Sequence, residues 1–191
     1  MNGYLNGQWL FASHFFKHPG LLGSLIPSSR HLIERLLRPV DWSRARRIVE
    51  YGPGVGTITK RLLAQMAPDA RLLALELNPD FVNYLRREVK DPRLEVVRMS
   101  AADLGQALQE RDWGAVDYAI SGIPFSTMPS TIRDHVLRQT REHLHPGGEF
   151  LVYQFSDRVR PHLERTFDAV ERGFVLRNFL PAHCYRCTLA A

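Results

Sequence analysis

Arg47-Ile48-Val49-Glu50-Tyr51-Gly52-Pro53-Gly54-Val55-Gly56 is the stretch whose reading decides the rest of the chain. The apolar pair Ile48 and Val49 reads as a buried strand, and glycines follow it at every second position. From Thr57 onward, Ile58, Leu62, Leu63 and Met66 fall on one face of a helix. Strand, glycine turn and helix together let backbone come close to a bound nucleotide, because a side chain at those positions would stand in the way. An ordinary tight strand-to-helix turn uses the same glycines, so the triplet needs its surroundings.

The surroundings supply an acid. Leu72-Leu73-Ala74-Leu75-Glu76 is a second apolar run, and its Glu76 lies 20 positions beyond Gly56. A carboxylate at the tip of a second strand can accept both hydroxyls of a ribose. Gly-x-Gly-x-Gly preceded by Glu50 differs from the Gly-x-Gly-x-x-Gly of dinucleotide binders. It resembles motif I of the class I S-adenosylmethionine (SAM) methyltransferases, whose cofactor has no pyrophosphate to seat on a helix N-terminus. The resemblance places SAM ahead of NAD as the expected cofactor.

A chain of 191 residues with 45% hydrophobic content fits one globular domain with a full core. The formal charge of +5 favours an anionic partner, nucleic acid or lipid, although no long Lys/Arg run concentrates it. Cys184 and Cys187 lack the second ligand pair of a zinc site, so they read as two thiols on a strand and no metal is expected. No run of about 18 apolar residues is present, so no transmembrane helix is expected, and the N-terminus does not read as a signal peptide.

Ahead of the glycine turn, Leu5, Trp9, Ala12 and Phe16 recur at helical spacing, widened by Phe11 and Phe15. They predict an amphipathic helix that either packs on the domain or lies in a lipid interface with its aromatic face inserted. Residues 1–29 read as this arm, and residues 30–191 as the domain. Ser28 or Ser29 is expected to cap a helix over His31–Leu37, leaving the other serine for the cofactor cleft.

Beyond the glycine turn, strands and helices alternate. A helix is expected from Asn78-Pro79 to about Lys90, with Phe81, Tyr84, Leu85 and Val89 inward. Strands are expected at Leu94–Val97, Val116–Ile120 and Glu149–Tyr153, with a helix over Pro129–Leu144 stopped by His145-Pro146-Gly147-Gly148. A helix over about Val159–Val170 precedes strands at Phe174–Phe179 and Ala182–Leu189. The pattern predicts an α/β fold: a mostly parallel, Rossmann-like sheet with helices on both faces and a C-terminal antiparallel strand pair. In such a sheet ligands bind beyond the carboxyl ends of the strands, where Gly52–Gly56, Glu76, Ser100–Asp103 and Ser121–Phe125 all fall.

The seven-strand order from about Arg30 onward resembles the class I SAM methyltransferases. A closer resemblance rests on four segments. They are Gly23-Ser24-Leu25-Ile26-Pro27-Ser28-Ser29-Arg30, motif I, Ser121-Gly122-Ile123-Pro124-Phe125-Ser126-Thr127-Met128-Pro129, and Leu180-Pro181-Ala182-His183-Cys184-Tyr185. Together they resemble the bacterial phospholipid N-methyltransferases, distant relatives of the rRNA adenine dimethyltransferases. The resemblance implies that Glu50, Gly52, Pro53, Gly54 and Gly56 cradle the methionine part of SAM and that Glu76 holds the ribose. Leu77, Ser100, Ala101, Ser121, Ser28 and Ser29 would line the same cleft. Ser100 stands where relatives often carry Asp, and Asp103 is a possible replacement.

Adenine-methylating relatives carry Asn-x-Pro-Tyr or Phe after the fourth strand, whose amide aims the target nitrogen. Here that position is Gly122, expected to make room for a flexible aliphatic amine, with Pro124 beside it and Phe125 as an aromatic wall. Such an amine titrates near 10 and must lose its proton before it can be methylated. Tyr153, Tyr185, His183 or water could take that proton. Trp9, Arg30 and Tyr153 are expected on the lipid side, Arg30 as a cation for the headgroup.

The expected activity is SAM-dependent methylation of a phospholipid amine, phosphatidylethanolamine first, with release of S-adenosylhomocysteine. The expected location is the cytoplasmic face of a membrane, through an anionic lipid surface and the N-terminal helix. An ornithine-containing aminolipid, an rRNA adenine and a non-catalytic SAM- or lipid-binding role are the alternatives. The missing Asn speaks against nucleic acid.

Overall fold

A computed structural model describes residues 29–178 and 180–190. The amphipathic arm expected over residues 1–29, with Trp9 and Ser28, lies outside the described residues except for Ser29.

The seven strands are β1 (Arg47–Tyr51), β2 (Arg71–Glu76), β3 (Leu94–Arg98), β4 (Val116–Ser121), β5 (Leu144–Gln154), β6 (Ala169–Val175) and β7 (Ala182–Thr188). They form one sheet in the order β3-β2-β1-β4-β5-β7-β6. Pairings from β3 through β5 are parallel. β7 runs antiparallel to both β5 and β6. This is the Rossmann-like seven-stranded arrangement with a C-terminal antiparallel pair. The six helices among the described residues are α1 (Arg30–Leu37), α2 (Thr57–Leu63), α3 (Pro79–Glu88), α4 (Leu104–Gln109), α5 (Ser130–His143) and α6 (Arg160–Thr166).

Alternation along the strands sorts apolar side chains onto two faces. Ile48, Leu72, Ile120 and Leu151 pack with Leu32, Ile33 and Leu36 of α1 and Ile58 and Leu62 of α2. Val49, Leu73, Ala119, Phe150 and Val152 pack with Leu104 and Leu108 of α4, Val136 and Leu137 of α5 and Leu163 of α6. The helix after the glycine turn buries Ile58, Leu62 and Leu63, as its spacing predicts, but it ends at Leu63 and Met66 is buried in the turn beyond it.

Several boundaries differ from expectation. α3 stops at Glu88, and it buries Val82 and Leu85, with Phe81 and Tyr84 only half-buried. α4 was not expected at all. β5 begins at Leu144, through the His145–Gly148 stretch expected to be a stop, with an irregular register against β4 between Val116 and Tyr118. α6 ends at Thr166, and Phe167 is already extended at φ −110° and ψ 153°. β6 accordingly occupies Ala169–Val175, five residues ahead of the expected strand start at Phe174.

Candidate cofactor and acceptor site

β1, β2 and β4 run parallel in close register, so their carboxyl ends share one edge: Tyr51 pairs with Leu75 on one side and Ser121 on the other. The glycine turn leaves β1 at that edge. Gly52, Gly54 and Gly56 take left-handed φ values of 65°, 55° and 77°. A Cβ on Gly52 would lie 2.6 Å from Ile123 Cγ2, and one on Gly56 would lie 2.5 Å from Leu85 Cδ2. Conformation thus calls for glycine at all three positions, and at Gly52 and Gly56 an added Cβ would also displace a packed side chain.

Two buried carboxylates flank the turn. Glu76 is 4% exposed and its oxygens accept from the backbone N–H groups of Gly54 (3.1 Å) and Asn78 (2.9 Å). Burial nevertheless holds its pKa above the ordinary carboxylate range. Glu50 is 2% exposed and accepts from the Thr59 hydroxyl at 2.7 Å. Burial pushes its pKa up to about 7, and the neighbouring Glu76 adds to that rise. A buried carboxylate with one hydroxyl partner is a place prepared for a cation, and the two acids beside open backbone fit a cationic amino acid joined to a ribose.

Ser100 lies at the end of β3. It is 7% exposed and its hydroxyl accepts from the Ala102 N–H at 3.1 Å, capping a short 3-10 turn over Ala101–Asp103. Ala101 is buried beneath it, and Asp103 is half-buried with its pKa raised by desolvation. Leu77 and Pro53 complete the rim, one half-buried and the other buried. Ser29 caps α1, accepting from Leu32 N–H at 3.2 Å, and donates to the Arg177 carbonyl at 2.8 Å. Its hydroxyl is thus committed to α1 and the β6–β7 connection. Arg30 is 82% exposed and pairs with Glu34 at 2.6 Å.

On the acceptor side, Ser121 is fully buried and Gly122, Ile123 and Pro124 are half-buried. Two expectations need correction. Phe125 is 0% exposed and meets Phe150 edge-on at 6.1 Å between ring centroids, so it belongs to the core rather than to an open aromatic wall. The room expected at Gly122 is taken by Tyr153, whose Cε1 and hydroxyl would lie 2.9 and 3.0 Å from an added Cβ. Tyr185 is 1% exposed and its hydroxyl donates to the Asp157 carboxylate, which, with burial, holds the phenol far above its ordinary range. It is a donor anchored to Asp157 rather than a proton acceptor.

Sequence reasoning missed Gln154. It is 4% exposed at the end of β5, and its Nε2 donates to the carbonyls of Ile123 and Tyr153, each at 2.7 Å. Its Oε1 accepts from the Ser126 backbone and hydroxyl at 3.4 and 3.3 Å. One amide thereby pins the 121–126 loop to β5. An uncharged polar residue ending an apolar run, Phe150-Leu151-Val152-Tyr153-Gln154, was the available signal. Among the described residues, no group of three or more His, Cys, Asp or Glu could hold a metal, and no helix is long and apolar enough to cross a membrane.

A sheet of this order, with a glycine turn and paired buried acids at its carboxyl edge, is the Rossmann-like class of fold, in which nucleotides bind beyond the strand ends. Comparison with known proteins agrees. Residues 48–148 match the family described as a methyltransferase domain. The ornithine lipid N-methyltransferase of Singulisphaera acidiphila is 35% identical, over 94% of each chain. Ribosomal RNA small subunit methyltransferase A of Bordetella pertussis is 30% identical over 75% of this chain, which spans only 57% of that relative's length. The N-methyltransferase NodS of Bradyrhizobium japonicum, solved with S-adenosylhomocysteine, superposes with a TM-score of 0.64 at 15% identity, covering 83% of this chain and 86% of that one, a likeness of fold alone. The chain belongs to the class I SAM-dependent methyltransferases, and its cofactor is SAM.

Proposed function

We propose that this chain methylates the primary amine of a membrane aminolipid. The observation that carries the reading is the end-to-end match, 94% of both chains, with a relative named for an ornithine lipid. That match favours an ornithine-type headgroup. The Ser121–Pro129 and Leu180–Tyr185 segments, which resemble phospholipid N-methyltransferases, keep phosphatidylethanolamine as the second substrate.

Bound SAM supplies a methyl group on a sulfonium, a good leaving group. The protein's own tasks are to hold that cation, exclude water and present an unprotonated amine. Glu50 and Glu76, buried beside Gly52–Gly56, are the groups proposed to meet the cationic amino-acid end and the ribose. Ser121, Gly122 and Pro124 are proposed to receive the amine, beside the Tyr153 ring that lies over Gly122. With SAM held there, the amine lone pair would take the methyl as S-adenosylhomocysteine leaves, and the resulting ammonium would lose its proton to solvent or to a side chain. The absence of an Asn amide at Gly122 and the half-length match to the rRNA enzymes weigh against a base as substrate.

The deciding experiment gives the protein labelled SAM and vesicles carrying either ornithine lipid or phosphatidylethanolamine, with products identified by mass spectrometry. Methylated ornithine lipid is the expected product. Label on structured RNA, with none on either lipid, would overturn the proposal.

A further inference from the structure

The end of the sheet that borders the acceptor loop is also the most apolar part of the described surface. Phe155 is 38% exposed, Phe174 50%, Leu176 72% and Leu180 42%. Strand register places them together. Gln154 pairs with His183, Phe174 with the same His183, and Val175 with Ala182, so β6 and β7 are joined at the end of the sheet where Phe155 leaves β5.

These side chains do not share one face. Phe174 lies against His183 at 4.8 Å between ring centroids, on the side of Tyr185. Phe155 lies against Tyr153 at 5.8 Å, on the opposite side of the sheet. An apolar patch meant for a helix would sit on one face; an edge apolar on both faces suits insertion into a medium that surrounds it. The charges fit the same occupant. Phe174–Ala182 contains no acid and carries Arg177, and Arg158 stands exposed just after Phe155. Neither arginine forms an ion pair among the described residues, whereas Asp157, the acid next to Arg158, is held by Tyr185 and Arg172.

The start of the described chain lies at the same place. The Ser29 N–H donates to Asn178 Oδ1 at 2.9 Å and its hydroxyl donates to the Arg177 carbonyl. Ser29, the first described residue, is therefore tied to the connection between β6 and β7. We infer that Phe155 and the β6–β7 hairpin enter the headgroup layer of an anionic bilayer, with Arg158 and Arg177 meeting lipid phosphates at the mouth of the acceptor site. The inference rests on the aminolipid reading for its biological sense, but the docking itself is tested without catalysis.

The full chain is sedimented with vesicles of phosphatidylglycerol and phosphatidylcholine, and SAM binding is measured on the same samples. Leu176→Glu should lower the partition coefficient about tenfold or more while leaving SAM affinity unchanged. Leu176→Ser should give a smaller fall, and Arg177→Ala should flatten the salt dependence. Unchanged partition in Leu176→Glu overturns the inference. If that unchanged partition comes with a lower melting temperature, or with a loss of mass at fixed concentration, the occupant is the N-terminal segment or a second copy. Vesicle binding that responds to Leu176 in a protein that methylates no aminolipid would leave the docking standing and remove the substrate reading.

Discussion

The Tyr153 ring occupies the volume that a side chain at Gly122 would fill, with Cε1 2.9 Å from the position of an added Cβ. The glycine and the tyrosine are thus one device: a phenol laid over a bare backbone at the carboxyl end of β4. Gly122→Ala should push the ring aside and cost about 1–3 kcal/mol through overpacking. Adding Tyr153→Leu should recover most of that loss without restoring methyl transfer. Calorimetric melting of the single and double variants checks this, and an unshifted transition in Gly122→Ala would show that the ring yields freely.

Gly54 sits at φ 55° with its N–H on Glu76. A β-branched residue there is strained by about 1–2 kcal/mol and intrudes on the cradle. Gly54→Val should remove measurable SAM binding by titration calorimetry while circular dichroism still reports a folded protein. Wild-type affinity in this variant would detach the glycine turn from the cofactor.

Glu50 links cofactor binding to pH. Its folded pKa, about 7, lies above the ordinary 4.5, so between those values the folded state binds more protons than the unfolded one. Stability of the free protein should therefore fall as pH rises through that window, by roughly 3 kcal/mol in all. Glu50→Gln should flatten the dependence and raise stability at pH 8. Bound cation favours the ionised carboxylate, so wild-type SAM affinity should increase from pH 6 to pH 8. The Gln variant should bind weakly and without that trend. Parallel urea titrations and binding isotherms across the range make the comparison.

Gln154→Glu replaces the amide donor that serves two carbonyls with an acceptor, at a cost of about 1–3 kcal/mol for the groups left unpaired. The loop it holds lies on the acceptor side, so kcat should fall at least tenfold with SAM affinity little changed. A proportional loss of both would mean that Gln154 supports the sheet as a whole.

Removal of Met1–Lys17 should leave SAM binding largely intact and lower turnover on vesicles. Equal loss of both would make the arm a structural part of the domain.

The cofactor half of the site was legible because its requirements are local. Left-handed φ values at Gly52, Gly54 and Gly56 can be met cheaply only by glycine, and an acid ending an apolar run marks a strand tip. The acceptor half depends on contacts between distant segments. Nothing near Gly122 in sequence announces that Tyr153 will lie over it, or that Gln154 will bond Ile123 from 31 positions away. β6 was misplaced because Val159, Leu163, Phe167 and Val170 keep helical spacing past the point where Phe167 turns extended. β6 is also an edge strand whose mostly exposed residues give only a faint alternation. α4 is too short, and Gly105 too unfavourable within it, for periodicity to reveal it.

β7 lies between β5 and β6, so β6 is synthesised before the strand that joins it to the sheet. Until residues 182–188 emerge, β5 presents an unsatisfied row of amides and carbonyls lined by Phe150 and Val152, and β6 has no partner. A nascent or clipped chain lacking this stretch would lose two strands' worth of pairing together and expose a bare apolar edge to self-association. Quality control in the cell would then see damage near residue 182 as failure of the whole fold, not as a missing tail.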